Sequence, residues 1–196
     1  MEQELLKNNF ERHGFKTSFF DTKKAASDYL KDQISGKKVA IGGSVTAQEM
    51  GLYEALSEKN EVIWHWKKAG REMLVEARSA EVYITSANGV SKTGELVNID
   101  GTGNRVAALI YGPETVVILA GMNKIAANVD EALSRVHNVA TAQNCIRLDK
   151  KTPCAITGAC ADCLSPDCIC NQVVITRRSG IKGRIKVLLI GESFGY

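Results

Sequence analysis

The chain has 196 residues, of which 44% are hydrophobic, and it carries 25 lysines and arginines against 22 aspartates and glutamates. This length and apolar content suffice for one sizeable core, so we predict a single domain over residues 1–196. The basic residues are dispersed, which argues against a nucleic-acid binder. No apolar run is long enough for a membrane span, and the charged N-terminus, MEQELLKNNFERHG, lacks the apolar centre of a signal peptide. We therefore expect a soluble, cytoplasmic protein that binds neither nucleic acid nor a membrane.

The N-terminal half of the sequence predicts helices that alternate with strands. Apolar spacing indicates N-terminal helices within residues 1–36, the second over 22–34 with Asp21 as its N-cap. Strands are predicted at KKVAI (37–41), EVIWHW (61–66) and EVYITSA (81–87), with helices over about 44–56 and 67–79 between them. This alternation is typical of an α/β fold with a mostly parallel central sheet, which binds ligands at the carboxyl ends of its strands.

The middle of the sequence interrupts this alternation. Residues 93–113, TGELVNIDGTGNRVAALIYGP, contain two short apolar runs around a turn-rich segment, which predicts an inserted antiparallel hairpin with Asp100 and Gly101 at its tip. ETVVILAG (114–121) is typical of a buried strand, and a helix over about 126–136 is predicted after it. NQVVITRR (171–178) and RIKVLLIG (184–191) predict two further strands.

Three segments of the sequence, taken in order, resemble the LUD domain family, which is named for the lactate-utilisation protein C of bacteria. They are VAIGGSVTAQEMGL, the stretch from SANGVSKTGELV to GMNKIAANVDEAL, and GRIKVLLIGESFGY. The resemblance implies a fold of the ribose-phosphate isomerase, glucosamine-phosphate deaminase and CoA-transferase type. It also implies an association with lactate oxidation and with iron–sulfur partner proteins, although it supplies no established reaction.

The glycine-rich turn in IGGSVTA is the first candidate ligand site. Gly42 and Gly43 end a predicted strand before a helix, where backbone N–H groups can face an anion and where Ser44 and Thr46 add hydroxyl donors. A tight turn with a helix cap would need the same residues without any ligand. The resemblance favours binding, because isomerases and transferases of that fold bind ligands at the equivalent turn.

Polar and glycine residues at other predicted strand ends form the second candidate site. If the order of the strands brings them to one cleft, they would bind a small carboxylate or phosphate, with Arg105 as a bidentate anchor. The alternative is that Arg105 pairs with Asp100 or Glu95 across the hairpin. Lys124 is a third possible anion contact, or else a solvated lysine. The members of the second site are Asn88, Gly89, Thr93, Gly94, Asp100, Asn104 and Arg105.

No catalytic residue can be assigned from the sequence. CoA transferases of the resembled fold use a carboxylate as the nucleophile, and Glu49, Glu95 and Asp100 are carboxylates close to the candidate sites. No paired base or oxyanion motif accompanies any of them. Whether the chain is an enzyme therefore stays open.

Five of the six cysteines lie in CAITGACADCLSPDCICN, within a Cys-rich segment over residues 145–171. In a cytoplasmic chain this density favours metal ligands over structural disulfides. Inert thiols and redox-active disulfides are the alternatives. The spacing predicts a metal site whose ligands are Cys154, Cys160, Cys163 and Cys170. Zinc and an iron–sulfur cluster both stay open, and the cluster is implied only by the resemblance, because the spacing does not match the ferredoxin patterns.

Three functions are compatible with these features. The favoured one is a component of lactate or related 2-hydroxyacid utilisation, which binds a small anionic ligand and works with iron–sulfur redox partner proteins. The second is a stand-alone sugar-phosphate isomerase or a CoA- or acyl-transferase-like enzyme, and the third is a non-catalytic, metal-stabilised assembly module. We also expect a homodimer, since symmetric dimers are the commonest soluble assemblies.

Overall fold

The computed structural model describes residues 2–196. The strands in this range are β1 (Lys16–Phe20), β2 (Lys38–Ile41), β3 (Glu61–Trp64), β4 (Val82–Ser86), β5 (Gly89–Ser91), β6 (Leu96–Asp100), β7 (Thr115–Gly121), β8 (Ile125–Ala126), β9 (Gln172–Thr176) and β10 (Ile185–Ile190). The α-helices are α1 (Glu2–Arg12), α2 (Lys23–Gln33), α3 (Val45–Glu49), α4 (Leu52–Ser57), α5 (Arg71–Glu76), α6 (Asn104–Ile110), α7 (Val129–Arg135), α8 (Ala142–Arg147) and α9 (Pro153–Thr157). A π-helical stretch, Val136–Thr141, joins α7 to α8. No helix among these residues has the length and apolar character needed to cross a membrane.

The larger sheet is parallel throughout, with the strand order β1-β10-β7-β4-β2-β3. Its central strands β7 and β10 are apolar runs that are buried on both faces, as parallel sheets require. Alternate residues of β7 enter two cores, because Val116 and Ile118 pack with α1 and α6, whereas Val117 and Leu119 pack with α2 and α4. The predicted α/β fold with a mostly parallel central sheet is confirmed.

The smaller sheet is mixed and has the order β8-β5-β6-β9. Strands β5 and β6 form an antiparallel hairpin, β9 pairs antiparallel with β6, and β8 pairs parallel with β5. Val97 and Ile99 of β6 pack against Ala132 and Val136, which lie on α7 and at the start of the π-helix. This sheet is the antiparallel insertion that the sequence predicts.

The hairpin itself lies one strand earlier than predicted. Its turn is at residues 92–95, and the apolar run VAALI belongs to helix α6 rather than to a strand. Asp100 explains the difference, because its carboxylate accepts hydrogen bonds from backbone N–H groups and so starts a helix where an Asp-Gly pair predicts a hairpin tip. The donors of these hydrogen bonds are Thr102, Gly103, Arg105 and Val106.

A strand that the sequence analysis did not predict lies between the first two helices. Strand β1, KTSFF, pairs with β10 at the edge of the larger sheet, and its polar residues hide it from a search for apolar runs. Both helices predicted within residues 1–36 are present, as α1 and α2, and β1 lies between them. Asp21 is not the N-cap of α2, because the Thr22 hydroxyl accepts the hydrogen bond from Ala25 N at 3.1 Å.

Several other predicted elements have different bounds. Strand β3 ends at Trp64, because the backbone N–H groups of Lys67 and Lys68 turn back to the Trp64 carbonyl. The helix predicted over 67–79 begins at Arg71 and ends in a 3-10 turn, Ala77–Ser79. The helix predicted to end near residue 136 instead continues through the π-helix into α8.

Candidate functional site

A cavity of about 430 Å³ lies at the carboxyl edge of the parallel sheet. Residues that follow β2, β4 and β7 line its floor, and residues of the π-helix, α8 and the Cys-rich segment line its walls. Open parallel sheets bind their ligands at this edge. We call this space the sheet-edge cavity, and the predicted ligand residues that line it are Gly43, Ser44, Thr46, Asn88, Asp100, Asn104, Arg105 and Lys124.

Four of the predicted ligand residues lie outside this cavity. A Cβ on Gly42 would approach the Tyr83 hydroxyl to 2.4 Å, so close packing alone requires glycine there. Gly89 packs against helix α7, where a Cβ would come within 2.9 Å of a backbone oxygen. Thr93 and Gly94 lie in the turn between β5 and β6, next to α1. The displaced hairpin explains the positions of Thr93 and Gly94, because both lie in its turn and not at a strand end that faces the cavity.

Ser44 and Thr46 occupy the turn between β2 and α3. The Ser44 hydroxyl accepts a hydrogen bond from Ala47 N at 3.1 Å, as an N-cap does, and donates to the Ser86 hydroxyl at 3.0 Å. Ser44 therefore has the helix-capping role that the sequence predicts as the alternative to ligand binding. Both side chains also line the sheet-edge cavity, so the cap leaves the turn beside any ligand that enters it.

Lys124 follows β7 in a short 3-10 turn and lies in the floor of the sheet-edge cavity. It is only 1% exposed. Its Nζ donates to the Thr46 hydroxyl at 2.7 Å and to the Ala87 carbonyl at 3.3 Å. The alternative of a solvated loop lysine is therefore wrong.

The surroundings of Lys124 disfavour its charged form. Desolvation lowers the pKa of Lys124 to about 7, with smaller contributions from the positive charges of Arg135 and Arg105, and Glu49 opposes the shift. Both protonation states are thus populated near neutral pH. Desolvation also lowers the pKa of His65, another lining residue. Lys124 and His65 therefore line the cavity as partly desolvated side chains whose charged forms are disfavoured.

Arg105 is buried, and its guanidinium binds protein oxygens. Its two terminal nitrogens donate at 2.7 to 2.9 Å to Ser86 O, Asn98 Oδ1, Asn88 Oδ1 and Ile99 O. Its Nε lies 4.0 Å from Asp100 Oδ2, which agrees with the predicted alternative of pairing with Asp100. Arg105 thus ties the ends of β4 and β6 together beneath the cavity. Direct anchoring of an anion by Arg105 stays a prediction.

The mouth of the sheet-edge cavity carries side chains that the sequence analysis did not include. The Arg147 guanidinium lies 4.9 Å from the ring centroid of Trp66 and donates from two nitrogens to Asn144 Oδ1, at 2.7 and 3.0 Å. Lys150 and Tyr196 complete this mouth. The spacing of Asn144 and Arg147 on one helical face was the available signal, but no local motif links that face to the sheet edge.

A second cavity, of about 470 Å³, is lined by all six cysteines and by His137. We call it the cysteine cavity. Desolvation raises the pKa of Cys145 to about 11 and that of Cys170 to about 12, so both are thiols near neutral pH. Within residues 2–196, no three Cys, His, Asp or Glu side chains are arranged so that they could hold one metal ion. The metal site stays a prediction, and its four members share this cavity: Cys154, Cys160, Cys163 and Cys170.

The two cavities share a wall. Thr141, Cys168, Ile169 and Asn171 line both of them. The Asn171 side chain donates to the Gly101 carbonyl at 2.9 Å, which attaches the Cys-rich segment to the loop that follows β6. The Cys-rich segment therefore forms part of the wall of both cavities.

The fold is similar to that of solved structures. A DUF162 family protein from Deinococcus radiodurans is 13% identical with a TM-score of 0.57, and the match covers 97% of this chain and 96% of that one. Partial matches include ribose 5-phosphate isomerase A from Neisseria gonorrhoeae, 20% identical with a TM-score of 0.37 over 54% of this chain and 53% of that one. Another is eIF2B beta from Chaetomium thermophilum, 16% identical with a TM-score of 0.39 over 55% and 44%. None of the curated proteins is significantly similar in sequence.

The sequence itself identifies the family. The profile of the LUD domain matches residues 3–190, which is nearly the whole length of the chain. This match includes β2 and its turn, Lys124, the Cys-rich segment and β10. The chain belongs to the LUD domain family.

Proposed function

We propose that this protein takes part in the utilisation of lactate or a related 2-hydroxyacid, and that the sheet-edge cavity binds a small carboxylate or phosphate. The charge of the cavity carries this proposal. Its lining includes the basic side chains Arg105, Lys124, Arg147 and Lys150, of which Lys124 is only partly charged near neutral pH, whereas Asp100 is the one acidic side chain among the described residues that line it.

Asp100 offsets only part of this positive charge. Its Oδ2 lies 4.0 Å from Arg105 Nε, so it acts mainly on that guanidinium, and its two oxygens also accept four backbone N–H groups at the start of α6. A weakly solvated space with several cations around it favours an anion, since electrostatic attraction strengthens where water is excluded. The volume of about 430 Å³ also falls within the range typical of small-molecule sites.

The cysteine cavity supports a second part of the proposal. Thiols are the preferred protein ligands of zinc and of iron–sulfur clusters, and four of those facing this cavity are Cys154, Cys160, Cys163 and Cys170. A zinc ion there would stabilise the segment, and a cluster would supply one-electron chemistry beside the sheet-edge cavity. The surface of the Cys-rich segment would also dock an iron–sulfur redox partner protein of the pathway.

Titration calorimetry with separate ligands tests the anion site. We expect lactate or pyruvate to bind, and Arg147→Gln to weaken the affinity about tenfold, as expected when a charged hydrogen bond worth roughly 1.5 kcal/mol is lost. The control is Lys182→Gln, which removes an exposed charge outside the lining of the cavity.

Two other results would change the proposal. Tighter binding of ribose 5-phosphate than of lactate or pyruvate would favour an isomerase-type function. If none of lactate, pyruvate, inorganic phosphate and ribose 5-phosphate bound the wild-type protein, the anion site would be refuted.

A further inference from the structure

The two hydrogen bonds of Lys124 can both be made by a neutral amine. A protonated lysine has three N–H donors, whereas a neutral one has two donors and a lone pair. Among the described residues, two oxygens accept from Nζ, one on Thr46 and one on Ala87. A neutral amine therefore satisfies both of its donors with protein oxygens, and its lone pair remains available.

The position of this amine suits a covalent reaction with a ligand. Lys124 lines the floor of the sheet-edge cavity, next to Thr46 and Ala87. The C2 atom of a 2-oxoacid is bonded directly to its carboxylate carbon, so a ligand that reacts with Nζ would place its carboxylate close to Lys124, where Ser44 and Asn88 also line the cavity. Desolvation, which lowers the pKa of Lys124 to about 7, keeps a large fraction of the amine neutral at neutral pH. Buried lysines of this kind are the ones that form Schiff bases with carbonyl ligands.

We propose that Lys124 captures a 2-oxoacid as a covalent imine. This inference rests on the proposed function, because it assumes that the same cavity binds 2-hydroxyacids or 2-oxoacids. It deepens that function by naming the oxidised acid as the form that is held covalently and Nζ as the atom that holds it. A 2-hydroxyacid has no carbonyl carbon at that position and would bind only noncovalently.

The reaction is balanced without any further reactant. The lone pair of Nζ attacks the C2 carbonyl carbon, and the new C–N bond gives a carbinolamine. The C2 oxygen then leaves as water, with one proton from the amine and one from the solvent, and a protonated imine remains. No electrons are exchanged. The Thr46 hydroxyl, 2.7 Å from Nζ, positions the amine throughout.

Reductive trapping tests the proposal on the intact chain. Pyruvate is added with sodium borohydride, which reduces an imine to a stable secondary amine, and the modified residue is located by peptide mass spectrometry. We expect one adduct per chain at Lys124. Lys150 is the internal comparison, because it lines the same cavity but is more exposed.

Three variants control for position and folding. Lys124→Met and Lys124→Arg lack the nucleophilic amine and should reduce trapping to the background of surface lysines, whereas Lys182→Met should trap as well as the wild type. Circular dichroism checks that each variant is folded. An adduct that maps to Lys150 or is spread over exposed lysines would overturn the inference.

Binding is measured on the same samples to separate this inference from the proposed function. Pyruvate that binds by calorimetry but gives no adduct at Lys124 would refute the imine and leave the anion site intact. If neither pyruvate nor lactate binds and no adduct forms, the imine and the proposed 2-hydroxyacid function both fail, whatever other anions bind. Wild-type mapping alone decides the matter if the variants do not fold.

Discussion

Lys124 places an ionisable amine where the protein interior penalises its charge. Its hydrogen bonds go to a hydroxyl and to a carbonyl rather than to a carboxylate. Burial of a charge without an opposite charge is costly, and the lowered pKa of Lys124 expresses that cost. A protonated amine in this position therefore lowers the free energy of unfolding.

This cost predicts how stability depends on pH. The pKa of Lys124 is about 7 in the folded chain, and that of an ordinary lysine, as in the unfolded chain, is 10.5. Between these two pH values the unfolded chain therefore binds more protons than the folded chain. The free energy of unfolding of the wild type should therefore rise with pH across this window, by up to about 1.4 kcal/mol per pH unit, relative to Lys124→Met. Below about pH 7 the full penalty is present, and the methionine variant should be the more stable protein.

Urea denaturation of both proteins at several pH values measures this difference. The charged neighbours Arg105, Arg135 and Glu49 are common to both proteins, so their own titration cancels in the comparison. A stability difference that stays constant between about pH 6 and about pH 10 would contradict the lowered pKa of Lys124.

Helix α6 depends on one carboxylate at its start. Asp100 accepts four backbone N–H groups, and Gly103, with φ of 80°, supplies the left-handed residue at the N-cap position. The helix then carries Arg105, whose guanidinium joins the ends of the neighbouring strands. The residues that cap α6 therefore also hold the floor of the cavity in place, through Arg105.

Loss of this cap should weaken the whole element. Asp100→Ala removes both acceptor oxygens and with them four hydrogen bonds, and it should lower the free energy of unfolding by about 2–4 kcal/mol, because the buried N–H groups of Arg105 and Val106 lose their partners. The matched control is Asp130→Ala, which removes an exposed carboxylate from the first turn of α7. We expect that control to cost less than about 1 kcal/mol. Equal losses in the two variants, measured by urea denaturation, would contradict the role assigned to Asp100.

The elements that sequence predicts well are those whose apolar pattern is complete. Strands β7 and β10 are buried on both faces, so their composition alone identifies them. Strand β1 is an edge strand with polar residues, and its pairing with β10 is encoded at the other end of the chain. The run VAALI fits a strand and a helix equally well over five residues, and Asp100 decides between them.

The residues of the candidate site also differ in how well the sequence predicts their positions. Ser44 and Thr46 follow a strand directly, so their place at the sheet edge can be read from local order. Arg147 reaches the cavity only because the π-helix and α8 lie across the sheet edge. Such long-range placement leaves no local pattern in the sequence.

At the scale of the whole molecule, the Cys-rich segment is both a possible metal site and part of the wall of the sheet-edge cavity. If the predicted cysteines hold a metal, ligand binding and metal binding would be coupled through Cys168 and Asn171. Such coupling acts in both directions, since each ligand would change the affinity for the other by the same factor.

Metal content and stability test the cysteine prediction together. Protein purified without oxygen should contain stoichiometric zinc or iron, and chelation should lower the melting temperature because metal binding energy contributes to folding. Cys160→Ser combined with Cys163→Ser should abolish that response. Cys145→Ala is the control, because it removes a buried thiol outside the predicted ligand set. Absence of metal in the wild type, with a melting temperature that chelators do not change, would refute the prediction.

The π-helix Val136–Thr141 has a consequence for how this chain tolerates changes in length. It connects α7, which packs against the smaller sheet through Ala132, to α8, which presents Arg147 to the sheet-edge cavity. One residue of an α-helix accounts for about 100° of rotation. The wider i→i+5 turns of the π-helix can give up one residue by tightening to α-helical turns. A single-residue deletion within Val136–Thr141 should therefore leave Arg147 and Cys145 facing their cavities, whereas the same deletion within α8, ahead of Arg147, would turn that side chain away.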